Sequence, residues 1–282
     1  MLNPFIIAGI LLAGILAALL LYGSRRMHRA YEKAVKAALA RTPEPAHELL
    51  TREDTAHLPG SVQRYLAFAG AIGKEKVENV RISARGKMKL NRKANWADIR
   101  VEQRNFYGDE LIRIFYINLT FLGLHMYGLH LYNRGEARMT GKLLGLLRIL
   151  DAGGREPRIS DTVTIFNDMC LFSPSALIDP RIRWEEIDDH TVKAVFHTEH
   201  CEVSAQLYFG EDGRLVDFVT DDRYYDNQDG TFRRVRWSTP VTNYREMHGF
   251  RLFAGGDAVW HFPDGKYRYI TFTDIADITY NG

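Results

Sequence analysis

The hydrophobic pattern divides the chain into stretches of different period. From Phe5 to Tyr22 the sequence reads FIIAGILLAGILAALLLY, eighteen residues without a charge or a strongly polar group. As a helix rising ~1.5 Å per residue, this run reaches about 27 Å, close to the ~30 Å hydrocarbon core of a bilayer. A core helix of a soluble domain carries a polar stripe, and this one has none. A secretory signal would place Lys or Arg before the run and a small-x-small cleavage site after it. Neither is found around Gly23-Ser24-Arg25-Arg26, and no cysteine follows that could carry a lipid. The expectation is an uncleaved single transmembrane helix over residues 1–23.

Apolar residues then recur at helical spacing through Met27, Tyr31, Ala34, Val35, Ala38 and Leu39, until Pro43 and Pro45 stop the pattern. Residues 24–57 therefore read as a basic juxtamembrane helix and linker. A short helix is predicted after Leu58-Pro59, with Val62, Tyr65, Leu66 and Ala69 on one face and Gly70 as its C-terminal cap. Beyond Gly73 the period becomes two, as in Val80-Ile82, Trp96-Asp98-Arg100 and Leu111-Arg113-Phe115. Turn clusters separate these runs, including Gly108-Asp109, Asp212-Gly213, Asp229-Gly230, His248-Gly249 and Asp264-Gly265. Short turns between alternating runs predict antiparallel hairpins rather than β-α-β crossovers. No proline occurs between Pro59 and Pro157, which suits a meander of paired strands. One helical segment interrupts it: Ser160 to Leu177, with Ser160 as cap, Val163, Phe166, Met169 and Cys170 on one face, and Pro174 as a break. The predicted fold is mainly β (α+β). A large curved antiparallel sheet or half-barrel with a packed helix near 160–177 fills residues 58–282, preceded by the single transmembrane helix. The apolar stretch 119–150 could be sheet core, groove lining or a second membrane contact.

Composition sharpens this reading at two points. With 46% hydrophobic and 26% charged residues, wholesale disorder is excluded, and a net charge of +2 removes the main argument for a nucleic-acid partner. The charge is also unevenly placed. Arg25, Arg26, Arg29, Lys33, Lys36 and Arg41 are opposed up to that point only by Glu32, leaving 31 basic and 34 acidic residues beyond. This basic flank suits anionic headgroups, and the positive-inside rule puts the body on the cytoplasmic side of a cell membrane. Two cysteines, Cys170 and Cys201, cannot form a disulfide framework.

Catalytic signatures are sparse. The sequence contains no Walker loop, G-x-G-x-x-G, H-E-x-x-H or G-x-S-x-G, and no cofactor is implied. His197-Thr198-Glu199-His200-Cys201-Glu202 gathers metal-capable groups, but alternation on a strand sends His197 and His200 to opposite faces, and a hairpin tip is the simpler reading. Asp226-Asn227-Gln228-Asp229-Gly230 lacks calcium-loop spacing and reads as a solvated turn. Asn167-Asp168-Met169-Cys170 is the segment of most interest, because a carboxylate in an apolar helix needs a donor such as Arg or Trp N–H. It reads either as a structural polar tie or as a ligand-orienting group; a Cys170 nucleophile paired with His197 or His200 is the third option.

Several blocks carry a resemblance. They are Leu58-Pro59 with Val62 and Arg64-Tyr65-Leu66, Phe166 to Phe172, Trp184-Glu185 with Ile187-Asp188-Asp189, Arg236 to Val241, and Ala258-Val259-Trp260-His261. Together, over roughly residues 55 to 281, they resemble an uncharacterised bacterial family. It is a domain of unknown function that often follows an N-terminal membrane helix. Tyr244-Arg245, Gly249 and Leu252 are similar to the closing hairpins of lipoprotein-carrier-like half-barrels, although Phe253 stands where those hairpins usually carry Pro. That second resemblance implies acyl chains held between a curved sheet and plugging helices. The expected function is therefore a membrane-anchored binding protein for an apolar or lipid-like ligand, with Asn167, Asp168, Cys170, Trp184, Trp237 and Trp260 as binding residues. The alternative is a hydrolase using Asp168 with His197 or His200. Gly9, Ala13 and Ala17 line one face of the span and predict a weak homodimer contact beside the partnership with the bilayer.

Overall fold

A computed structural model describes residues 3–282 of the chain. Helix α1 runs unbroken from Pro4 to Leu39, and Asn3 Oδ1 accepts the Phe5 amide at its start. By length and composition it can cross a membrane. Its two halves behave differently. Residues such as Ile10, Leu11 and Leu12 are exposed, and so are Gly9, Ala13 and Ala17. Met27, Tyr31 and Ala38 are instead buried on the sheet, against Ile112, Ile114, Tyr116 and Tyr127.

Residues 48–57, expected as the end of a linker, belong to the packed body. Leu50 exchanges backbone hydrogen bonds with Gly73 and Lys74 and is fully buried, and α2 (Arg52–Thr55) follows it behind a capping box on Thr51. Helix α3 (Gly60–Phe68) comes next, and Gly70 beyond it takes the left-handed backbone expected of a cap.

Six strands then form a meander: β1 (Asn79–Met88), β2 (Ala97–Phe106), β3 (Ile112–Phe121), β4 (Leu124–Asn133), β5 (Glu136–Leu143) and β6 (Leu147–Gly153). Helix α4 (Arg155–Phe172) and a 3-10 turn (Pro174–Ile178) lead into β7 (Ile182–Asp188), β8 (Thr191–His197), β9 (Glu202–Phe209) and β10 (Leu215–Thr220). The β11 (Tyr224–Asp226) and β12 (Phe232–Arg234) hairpin stands apart as its own small sheet. The chain ends with β13 (Arg236–Ser238), β14 (Val241–Met247), β15 (Phe250–Phe262) and β16 (Gly265–Tyr280). One 14-stranded antiparallel sheet results, ordered β6-β5-β4-β3-β2-β1-β16-β15-β13-β10-β9-β8-β7, with β14 also paired to β15. The chain thus closes on itself through β1 and β16, its first and last strands.

Helix α4 begins five residues before the expected Ser160. Pro157 sits in its first turn, where a missing N–H costs nothing. Ser160 is therefore no cap; its hydroxyl accepts the Tyr224 amide at 3.0 Å. From Ser160 to Phe172 nearly every residue of α4 is buried, because the helix lies inside the curve with a wing of the sheet on either side. Phe166 marks the junction, 5.1 Å from Phe196 and 5.5 Å from Phe218.

The register gives the sheet two distinct ends. The β1–β2, β3–β4, β5–β6 and β15–β16 turns share one end, here called the near end. Helix α1 arrives there. Gly23 and Gly145 bring its backbone against the β5–β6 turn so closely that a Cβ on Gly23 would collide with the Leu144 carbonyl. From that contact α1 runs along β3 and β4 to the far end, where Arg41 donates to Asn133 at 3.1 Å.

Candidate functional site

The interior of the curve holds most of the residues that the sequence singles out, and Asp168 is its polar centre. Along the inner face of β2 the sequence changes from Ile99 and Val101 to Gln103 and Asn105, and Asn105 pairs in register with Arg113 of β3. These three side chains converge on one carboxylate oxygen. Asp168 Oδ2 accepts Gln103 Nε2 at 2.7 Å, Asn105 Nδ2 at 3.1 Å and Arg113 Nε at 2.8 Å. Arg113 also donates to Gln103 Oε1 at 3.3 Å and lies 4.7 Å over the Phe115 ring. Asn105 reaches Tyr107, whose hydroxyl takes a hydrogen bond from Ser173, the residue that ends α4. Both Arg113 and Asp168 are 93% withdrawn from solvent, each at 7% side-chain exposure. Burial of such a pair is offset by the ion pair itself and by the two amide donors that share the same carboxylate oxygen.

The neighbouring residues of α4 are held as well. Asn167 Nδ2 donates to Thr239 Oγ1 at 2.8 Å, tying the helix to the opposite wing. Cys170 is completely buried, and desolvation, with the nearby Asp168 charge, pushes its thiol far above the usual range. It is protonated and inert at neutral pH. Tyr65 and Tyr280 donate to the carbonyls of Cys170 and Phe172, each at 2.6 Å, so hydroxyls satisfy acceptors that a helix C-terminus leaves open.

Of the three tryptophans expected to bind ligand, Trp237 and Trp260 are direct partners across β13 and β15, and Trp184 is on the edge strand β7. Tyr269 accepts the Trp237 indole N–H at 3.3 Å, and Tyr225 stands edge-on to Trp260 at 5.4 Å. Arg223 lies across both indoles, 4.1 Å from Trp237 and 5.6 Å from Trp260. Its Nε and Nη1 are buried and have no hydrogen-bond partner among the described residues. Neither His197 nor His200 is hydrogen-bonded to Asp168: His197 pairs with Glu202 at 3.0 Å, and His200 rests on Gly135. Among the described residues no group of three or more His, Cys, Asp or Glu side chains is placed to hold a metal ion.

The donors Gln103, Asn105 and Arg113 were not singled out from sequence, nor was His130, whose Nε2 approaches buried Asp161 at 2.6 Å. The available signal was the change from apolar to amide side chains on one face of β2. Helix α4 and its ties occupy the far half of the interior. At the near end, Met88, Phe121, Met126, Tyr225 and Tyr269 pack on the main core and are half-buried. Two open clefts flank that end. One, of about 360 Å³, is lined by Lys89, Arg92, Trp96, Lys266, Tyr267 and Arg268; the other, of about 420 Å³, by Ser24, Arg25, His28, Arg29 and Glu32.

Residues 48–272 match the model of a family of unknown function, DUF6544. The chain belongs to that family. No curated protein matches the sequence. Three solved structures are similar at a distance. A domain provisionally named for outer membrane lipoprotein sorting, from Vibrio parahaemolyticus, is 10% identical with a TM-score of 0.40, covering 72% of this chain and 85% of its own. A DUF1329 family protein from Desulfovibrio piger is 11% identical with a TM-score of 0.42, covering 78% and 91%. A LolA superfamily protein from Nitrosomonas europaea is 11% identical with a TM-score of 0.39, covering 78% and 93%. Likeness of this size carries no argument about ligand or activity.

Two measurements check the energetics of the interior. Asp168→Ala strands a buried guanidinium, and equilibrium urea unfolding is expected to show a loss of about 3–5 kcal/mol. Asp168→Leu combined with Arg113→Met should lose clearly less than the two single changes summed, because no charge is left unpaired. The second concerns Asp217, whose carboxyl is raised by burial to about 6 from an ordinary 3.8. The folded state holds a proton there that the unfolded chain releases, so this contribution is complete below about pH 4 and fades as pH rises through 6. Stability should fall by about 1–3 kcal/mol over that window, and Asp217→Asn should remove this component of the slope.

Proposed function

We propose that the protein is a membrane-anchored binding module for an apolar, lipid-like ligand, taken into the near-end mouth of the half-barrel with α4 as its floor. The observation that carries this reading is the set of half-buried apolar side chains Met88, Phe121, Met126, Tyr225 and Tyr269 packed on the core at the near end. Binding sites of this kind combine mostly apolar walls with few polar groups. Arg223, stacked on Trp237 and Trp260 with two unpartnered nitrogens, supplies a cation suited to an acidic head on that ligand. In this reading Trp237 and Trp260 form the wall, and Asn167 and Asp168 fix the floor rather than touching the ligand. Cys170 packs beneath them.

The exposed apolar half of α1 supports anchoring, and the basic residues Arg25, Arg26 and Arg29 that follow it favour a cytoplasmic body. Native mass spectrometry of the full chain, gently extracted, is expected to show a bound lipid. Met126→Asp and Phe121→Asp should each lower the occupied fraction about tenfold, equivalent to ~1.4 kcal/mol. A lipid-free wild type, or occupancy unchanged in both variants, refutes the reading. For orientation, a reporter active only outside the cytoplasm and fused after Gly282 should stay silent; a strong signal reverses the assignment.

A further inference from the structure

Helix α1 fixes where a bilayer would lie relative to the sheet. It has no break between Pro4 and Leu39, and its second half is bound along β3 and β4. Its exposed apolar half therefore projects straight past the near end, and the last apolar residue, Tyr22, directly precedes the Gly23 contact with the β5–β6 turn. Whatever solvates residues 5–22 must also meet the turns at that end.

Those turns carry four exposed apolar side chains, including the two most exposed of the body among the described residues. Leu122 is 87% exposed and Leu124 53% at the β3–β4 tip; Leu147 is 63% and Ile149 55% exposed beside the β5–β6 turn. These four residues sit on two hairpins joined by the β4–β5 pairing, at the end where the apolar half of α1 projects. Cations surround it. Lys142 is held below its ordinary range by partial burial and then by Arg26 and Arg148, which places three basic groups together next to the leucines. Across the same end, Lys89, Arg92, Lys266 and Arg268 line the open cleft around Trp96.

We propose that the near end of the half-barrel docks on the bilayer, with Leu122, Leu124, Leu147 and Ile149 inserted at the headgroup–acyl boundary and the basic rim against anionic headgroups. Apolar tips ringed by Lys and Arg are the composition by which surface elements enter that boundary. The docking rests on α1 being an anchor. It turns the apolar mouth toward the leaflet, so a lipid would pass from membrane to interior without crossing water.

The test uses the full chain in vesicles of phosphatidylcholine and phosphatidylglycerol. In a Cys201→Ala background, an environment-sensitive fluorophore is attached at Leu122→Cys or Leu147→Cys, and doxyl-labelled lipid is the quencher. Leu11→Cys reports on the span, and Ile187→Cys reports on an exposed apolar site at the far end. Emission at Leu122→Cys and Leu147→Cys should fall about threefold with the quencher, as at Leu11→Cys, and stay unchanged at Ile187→Cys. Quenching at Leu11→Cys alone overturns the docking and leaves the anchor intact. No quenching at Leu11→Cys overturns the anchor and the docking with it. Equal quenching at Ile187→Cys means indiscriminate adsorption, which also overturns the docking.

Discussion

The arrangement of this protein depends on a single buried carboxylate. Helix α4 is enclosed by sheet on both sides, so its rotation cannot be set by turning a polar face to water. Asp168 sets it instead. Three donors from β2 and β3 meet one oxygen, and Asn167 on the next residue holds the opposite wing through Thr239. A rotation of the helix would break both ties and strand Arg113 in an apolar interior. With the rotation fixed, Phe166 falls between Phe196 and Phe218.

The same strands that receive α4 on one face receive α1 on the other. Consecutive residues of β2 and β3 are thus buried on both faces over much of these strands, which is unusual for an antiparallel sheet. This explains the composition of the 119–150 stretch, where FLGLHMYGLHLY lacks clean alternation. Met126 and Tyr132 serve the interior, while Tyr127 and Leu129 serve the helix outside. Of the three roles open to that stretch from sequence, the structure shows core at Leu119, Tyr127, Tyr132 and Ala137, with Leu122, Leu124 and Leu147 exposed at the turns or at the strand ends beside them.

Local features were legible in the sequence because local chemistry determines them. The apolar run of α1, the Gly70 cap, the β8–β9 tip at Thr198 to Cys201 and the Asp229-Gly230 hairpin all follow from short-range rules. The need of Asp168 for a donor such as Arg was also legible, since it follows from burial alone. Which arginine was not. Arg113 and Gln103 lie 55 and 65 residues away in sequence, and only strand register brings them to the carboxylate. The pairing of β1 with β16 is longer-range still, and no turn signal announces it. The sequence points to Ser160 as the start of α4 because Ser160 resembles a cap, whereas the helix begins at Arg155 behind Gly154 with no side-chain cap.

Helix α1 enters the body without a loop, and Met27, Tyr31 and Ala38 hold it there. Under the proposed reading, an anchor built this way is a strut rather than a tether. A tethered domain samples a sphere whose radius is set by its linker, but a body clamped to its own span would keep a fixed height and tilt above the surface. It would diffuse laterally and spin about the helix axis without reaching a second membrane, and the proposed ligand would have to change hands within one molecular diameter of the leaflet.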